Sequence, residues 1–214
     1  MKRKIKISKI ILLSIIALIL AIITISVFTA VSEVKKFMNQ NGFEQSRNEN
    51  KTDKGETITL KKFSTIVLSG KGKISIEQSD KNNFQYFSDK QNFPEIKNDT
   101  LFLTSDDNND YINVVNLKTI ILNKNIKAEI SDLKTDTLNV KTNDNSEIKI
   151  AGINLQVLNI FSKANSSIEL YDIKGENIET KLLLKDNSKI YIDNSKNLNL
   201  NIQKNGNAKL EIGS

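Results

Sequence analysis

Along the second half of the chain, aliphatic and polar residues alternate in short runs. LNVKT from Leu138, EIKI from Glu147, LNIFS from Leu158, SIEL from Ser167, KIYI from Lys189, LNLNI from Leu198 and KLEI from Lys209 all place an apolar side chain at alternate positions. That period belongs to strands with one dry and one wet face; a helix would space its apolar residues three and four apart. The runs also repeat as larger units. NSEIKI at Asn145, NSSIEL at Asn165, NSKIYI at Asn187 and NAKLEI at Asn207 follow one another at steps of 20, 22 and 20 residues. A weaker copy, NIKAEI at Asn125, extends the series upstream, and KGKISI at Lys71 has the same shape. Each strong copy is preceded by a second alternating run, IETKLLL from Ile178 being the longest. One unit is thus two short strands and a corner.

A unit of about 20 residues is too small to bury its own apolar face and gains a core only by stacking on its neighbours. The pattern predicts an all-β fold, a parallel β-helix (β-solenoid) with rungs of about 20 residues and about eight windings over residues 57–214. Its sense is expected to be right-handed, as for parallel crossovers in general. The rival architecture, an antiparallel sandwich, would carry hairpin dipeptides between its strands. Asn41-Gly42 falls outside the repeats and Asn205-Gly206 falls at an expected corner. Asn145, Asn165, Asn187 and Asn207 open the four strong copies, each followed by Ser or Ala. Asn tolerates left-handed backbone, and its amide can bond to an identical amide one rung away, so these four are expected to form a structural corner ladder.

The N-terminal third differs. From Ile10 to Ser32 runs IILLSIIALILAIITISVFTAVS, uncharged throughout and equivalent to about 34 Å of helix, enough to span a bilayer. Apolar on all sides, it does not resemble a one-sided core helix. Residues 1–9 hold Lys2, Arg3, Lys4, Lys6 and Lys9, a basic cluster that places the N-terminus in the cytoplasm and the remainder across the membrane. The expectation is a basic segment 1–9, a transmembrane anchor 10–32, a polar tether 33–56 and an exported domain 57–214, periplasmic or at the cell surface. Cleavage after Ser32, following small Ala30, is the alternative, although the apolar run is longer than a usual signal core. A lipoprotein signal would need a Cys.

Charge and composition narrow the chemistry. The net charge of +6 resides mainly in those first nine residues, which leaves 26 basic against 25 acidic side chains beyond them. Only two Arg occur, Arg3 and Arg47, so nucleic acid is not an expected partner. With no His and no Cys, imidazole or thiolate metal sites, His-based triads and disulfides are excluded. Asp106-Asp107-Asn108-Asn109-Asp110 has a spacing that could offer oxygen ligands to Ca²⁺, but Tyr111 and Leu117 stand where an EF-hand needs Gly and Glu. It reads as a solvated turn. Asp132, Asp136, Asp144, Asp172, Asp186 and Asp193 recur near corners as turn residues. Carbohydrate clefts favour aromatic platforms, whereas this chain has no Trp and only Tyr86, Tyr111, Tyr171 and Tyr191 as tyrosines. No catalytic residue, metal or cofactor is expected.

The segment LKKFSTIVLSGKGKISIEQSDKNNFQYFSD from Leu60, with Phe63, Ile66, Gly70, Gln78 and Asp80, followed by Thr100, Leu101 and Leu103, resembles the opening of the head GIN domain family of suspected auto-transporter adhesins. The resemblance implies a right-handed parallel β-helix on an exported bacterial envelope protein. It supplies no catalytic residues. The expected function is therefore a membrane-anchored, non-catalytic β-helix domain in adhesion, scaffolding or envelope interaction. Expected partners are the membrane through residues 10–32, a protein or surface glycan, and further copies of the chain through the C-terminal edge. A self-assembling structural module, or a carbohydrate-active enzyme, would be the alternatives.

Overall fold

Alternating strands that each carry an aliphatic face can share one interior if the chain winds around it. A computed structural model describes residues 55–86, 93–106 and 109–213, and the expected anchor at 10–32 lies outside them. Among the described residues there are seventeen strands, no helix, and therefore no helix able to cross a membrane. They form a nine-stranded and an eight-stranded sheet, both mostly parallel.

The regular part begins at β8 (Thr119–Asn123) and β9 (Lys127–Ser131). It continues through β10 (Thr137–Thr142), β11 (Glu147–Ala151), β12 (Val157–Ser162), β13 (Ser167–Tyr171), β14 (Ile178–Leu184), β15 (Lys189–Asp193), β16 (Leu198–Lys204) and β17 (Lys209–Ile212). Even-numbered strands pair in parallel with one another in the eight-stranded sheet, and odd-numbered ones do so in the nine-stranded sheet. Ile148, Ile168, Ile190 and Leu210 are in register, as are Ile150, Leu170, Ile192 and Ile212, so like side chains stack in columns. All but the last winding's members are buried, each contributing about 1.5–3 kcal/mol by leaving water.

A short third side closes each winding. Leu133, Ile153 and Ile173 point into the core there, beside the parallel bridges Lys134–Asn154 and Asn154–Lys174. The 22-residue step puts its two extra residues on this side, between Lys174 and Glu179. Gly175 lies in that segment, where a Cβ would stand 2.4 Å from the Leu155 carbonyl oxygen.

The beginning of the domain corrects the expected uninterrupted stack from residue 57. The first winding in sequence, β2 (Thr65–Gly70) with β3 (Lys73–Gln78), is not at the end of the stack. It lies between β8–β9 on one side and β6 (Thr100–Ser105) with β7 (Asn109–Val114) on the other, all parallel. The chain thus winds once, doubles back to add β6–β7 outside, and then passes the first winding to begin β8. The KGKISI and NIKAEI copies become neighbours in space across the gap. Three antiparallel strands finish that end: β1 (Glu56–Thr59) and β4 (Asn83–Tyr86) beyond β7, and β5 (Glu95–Lys97) beyond β6. Short, polar edge strands of this kind discourage pairing with other chains. The two-strand windings among the described residues are therefore β6–β7, β2–β3, β8–β9, β10–β11, β12–β13, β14–β15 and β16–β17, fewer than the eight expected.

Gly70 explains part of this arrangement. Its φ is +113°, and a Cβ on it would come within 2.0 Å of the Ser105 carbonyl oxygen of the doubled-back winding. The Phe63, Ile66 and Gly70 positions that carry the family resemblance are thus two buried apolar anchors and a site of close backbone contact.

Candidate binding surfaces

At the corner between the two sheets, Nδ2 of Asn145, Asn165, Asn187 and Asn207 each donates to Oδ1 of the Asn one winding earlier, at 3.4, 3.2, 2.8 and 3.2 Å, the first acceptor being Asn125. The residue before each of the five has positive φ: Lys124, Asp144, Ala164, Asp186 and Gly206. Asn145 and Asn165 share that conformation, whereas at Asn187 and Asn207 the preceding residue alone adopts it. Inside the same corner Ser146, Ser166 and Ser188 are buried, and Ser188 Oγ has no partner. This corner is mechanical: its amides are engaged with one another. Asp132 and Asp172 have left-handed backbone at other corners, which accords with turn residues.

The outer face of the nine-stranded sheet mixes its charges. Lys73 pairs with Glu129 at 2.9 Å and Lys127 with Glu147 at 2.7 Å. Lys149 stands 5.0 Å over the Tyr171 ring, and Tyr171 and Tyr191 lie 5.8 Å apart. Burial, reinforced by the Glu169 carboxylate that accepts the Tyr171 hydroxyl at 3.3 Å, pushes the Tyr171 phenol up to about 12. Lys189 and Lys209, neighbours on β15 and β17, have no ion pair among the described residues.

The outer face of the eight-stranded sheet has no ion pair on β10, β12, β14 or β16 among the described residues. One outward column reads Phe102, Val67, Ile121, Lys141, Phe161, Leu183 and Gln203 along successive strands. Between β10 and β16 the face forms a groove of about 300 Å³. Phe161 and Leu183 line it, and Asn139, Asn159, Asn201 and Gln203 line it with amides. Lys141 and Lys181 also line it, and the Lys185 ammonium lies 5.6 Å from the Phe161 ring centroid. Lys163 and Lys185 follow directly after β12 and β14. None of these four lysines forms an ion pair among the described residues. Glu179, at the start of β14, is the only carboxylate on the four strands β10, β12, β14 and β16. Asn159 Nδ2 donates to Asn139 Oδ1 at 3.0 Å, which fixes one wall.

Sequence reasoning passed over these residues. A signal existed: Phe161 in NIFS and Leu183 in KLLL put apolar side chains at positions that the alternation assigns to water. Of the segment considered for Ca²⁺, Asp107 and Asn108 lie outside the described residues, among which no group of three or more carboxylates could hold a metal ion. Asp110 instead faces inward in the column of Ile74, where Ser105 Oγ donates to it at 3.0 Å and burial raises its carboxyl above the ordinary range. At the far end of the described stack, β16 and β17 are the outermost strands of their sheets, and Ile202 and Ile212 of the core columns are exposed.

No family model matches the chain, and no curated protein matches it. Solved structures do. A "putative adhesin" from Bacteroides fragilis overlays with a TM-score of 0.54 at 16% identity, covering 74% of this chain and 96% of that one. A "putative adhesin" from Parabacteroides merdae gives 0.33 at 14% identity over 75% and 95% of the two chains. A "putative lipid binding protein" from Parabacteroides distasonis gives 0.39 at 15% identity over 78% and 98%. The first of these shares the fold.

Proposed function

We propose that this chain is an exported, membrane-tethered, non-catalytic binding domain of the bacterial envelope, acting in adhesion as the head GIN resemblance implies. Residues 10–32 anchor it with the N-terminus in the cytoplasm, and its coil is right-handed. The contact face is the outer surface of the eight-stranded sheet between β10 and β16. One observation carries this reading: Lys141 and Lys181 line a groove with the half-buried Phe161 and Leu183, Lys185 stands over the Phe161 ring, and none of the three has an ion partner among the described residues. The groove is lined by amides, aliphatic groups and lysines, with no carboxylate to serve as an acid–base partner, so it suits holding over reacting. The fold shared with the Bacteroides fragilis protein supports the same reading.

Binding of the purified full chain in neutral detergent to isolated bacterial envelopes, measured by quantitative pelleting, tests it. The double variant Lys181→Glu/Lys185→Glu should reduce pelleting, and Lys189→Glu on the other sheet should not. Equal pelleting of all three proteins would overturn the assignment of the face. Export has its own test, because the chain lacks Cys. A Lys196→Cys variant, at an exposed corner, should react with a membrane-impermeant maleimide on osmotically opened but unlysed cells. Labelling only after lysis of the inner membrane would refute export.

A further inference from the structure

Resting on that contact face, we propose that its occupant is an acidic polysaccharide, a chain of sugars bearing carboxylates that lies across β10, β12, β14 and β16. Three chemistries converge in the groove. Lys141 and Lys181 in its lining and Lys185 over the Phe161 ring supply positive charge, with one carboxylate, Glu179, on the four strands to compete. Asn139, Asn159, Asn201 and Gln203 supply amides, which donate and accept as sugar hydroxyls require. Phe161 presents a half-buried ring beneath Lys185, a flat apolar surface for the hydrocarbon face of a sugar.

The direction of the groove fits a polymer. Parallel strands are about 4.8 Å apart, so Lys141 on β10 and Lys181 on β14 are separated by about 10 Å along the stack. An extended chain can meet these charges in succession while its rings pass over Phe161 and Leu183. A membrane surface fits less well, because Phe161 and Leu183 are half-buried and offer little apolar surface for insertion. Nucleic acid would call for Arg, and neither Arg of the chain lies among the described residues.

Titration calorimetry of the full chain in neutral detergent tests the proposal with polygalacturonate and hyaluronate as acidic probes. Fully methyl-esterified polygalacturonate keeps the sugar and removes the charge; polyglutamate keeps the charge and removes the sugar. Saturable binding to an acidic glycan is expected, weakened about tenfold or more by Lys141→Ala/Lys181→Ala/Lys185→Ala and by esterification of the probe. Phe161→Ala should weaken glycan binding and leave any polyglutamate binding unchanged, with circular dichroism verifying the fold of each variant. Absence of binding to both acidic glycans, equal affinity for polyglutamate, or binding confined to phosphatidylglycerol vesicles would each overturn it. If the acidic glycans fail while envelope pelleting still responds to Lys181→Glu/Lys185→Glu, the contact face stands and only the identity of its occupant falls.

Discussion

Asn165 occupies the middle of the corner ladder and allows its energetics to be separated into parts. It donates to Asn145 at 3.2 Å, accepts from Asn187 at 2.8 Å, and has φ of +60°. The corner is exposed, so each amide bond there contributes at the low end of the usual range, about 0.5 kcal/mol. An alanine held in left-handed backbone costs about 1 kcal/mol more than an asparagine that prefers it. Asn165→Ala should therefore destabilise the domain by about 2 kcal/mol. Asn165→Gly loses the same two bonds without the backbone penalty and should lose about 1 kcal/mol. Asn207→Ala, at a position with one ladder bond and no positive φ, should lose about 0.5 kcal/mol. Urea unfolding of the full chain, followed by far-ultraviolet circular dichroism and by tyrosine fluorescence, measures these differences. Coincident transitions are needed because a stack can unfold winding by winding. The reasoning fails if Asn165→Ala unfolds within about 0.5 kcal/mol of the native chain, or if glycine is as damaging as alanine.

Gly70→Ala would drive a Cβ against the Ser105 carbonyl while β2 is held between β6 and β8, so a loss of about 3 kcal/mol or more is expected in urea melts; a neutral result would contradict the doubled-back winding. Ala164→Gly places glycine where φ is +55° and should stabilise by about 0.5–1 kcal/mol in the same assay. Asp110 binds its proton more tightly folded than unfolded, so its favourable contribution is complete below about 3.8 and disappears as pH rises through the native value. Asp110→Asn, which keeps an acceptor for Ser105, should accordingly be more stable than the native chain near neutrality and lose that advantage in acid. Tyr171 holds its proton to about 12 when folded but releases it near 10 when unfolded, so stability should decline between those values, and Tyr171→Phe should flatten the decline in alkaline melts.

The extent to which the sequence disclosed this fold depended on how local the governing contacts are. Each strand from β8 onward pairs with one about 20 residues away, and the columns Ile148–Ile168–Ile190 and Ile150–Leu170–Ile192 repeat at that interval. A fixed interval imposes a repeated residue type, which is why windings and corner asparagines were readable without coordinates. The first winding breaks the interval: Ile74 pairs with Ala128 on one side and with Asp110 on the other. A contact bridging a spacing that occurs once leaves no period to find. Only Gly70 hinted at it, through a close approach whose partner, Ser105, lies far along the chain.

The contact face was hidden for a related reason. Alternation says that Lys141, Phe161, Lys181 and Leu183 point outward, but outward positions exist on both sheets, and the Lys–Glu pairs between neighbouring windings among the described residues fall on the nine-stranded one. From β6 onward consecutive strands fall on different sheets, so charges on successive strands separate onto opposite surfaces while those one winding apart become neighbours. Lys127 thus meets Glu147 and is neutralised, whereas Lys141 meets Phe161 and then Leu183. Pairing order, and not composition, turns a neutral domain into one with a basic groove, and it does so on the sheet whose outward aromatic and aliphatic side chains have least cause to face water unaccompanied.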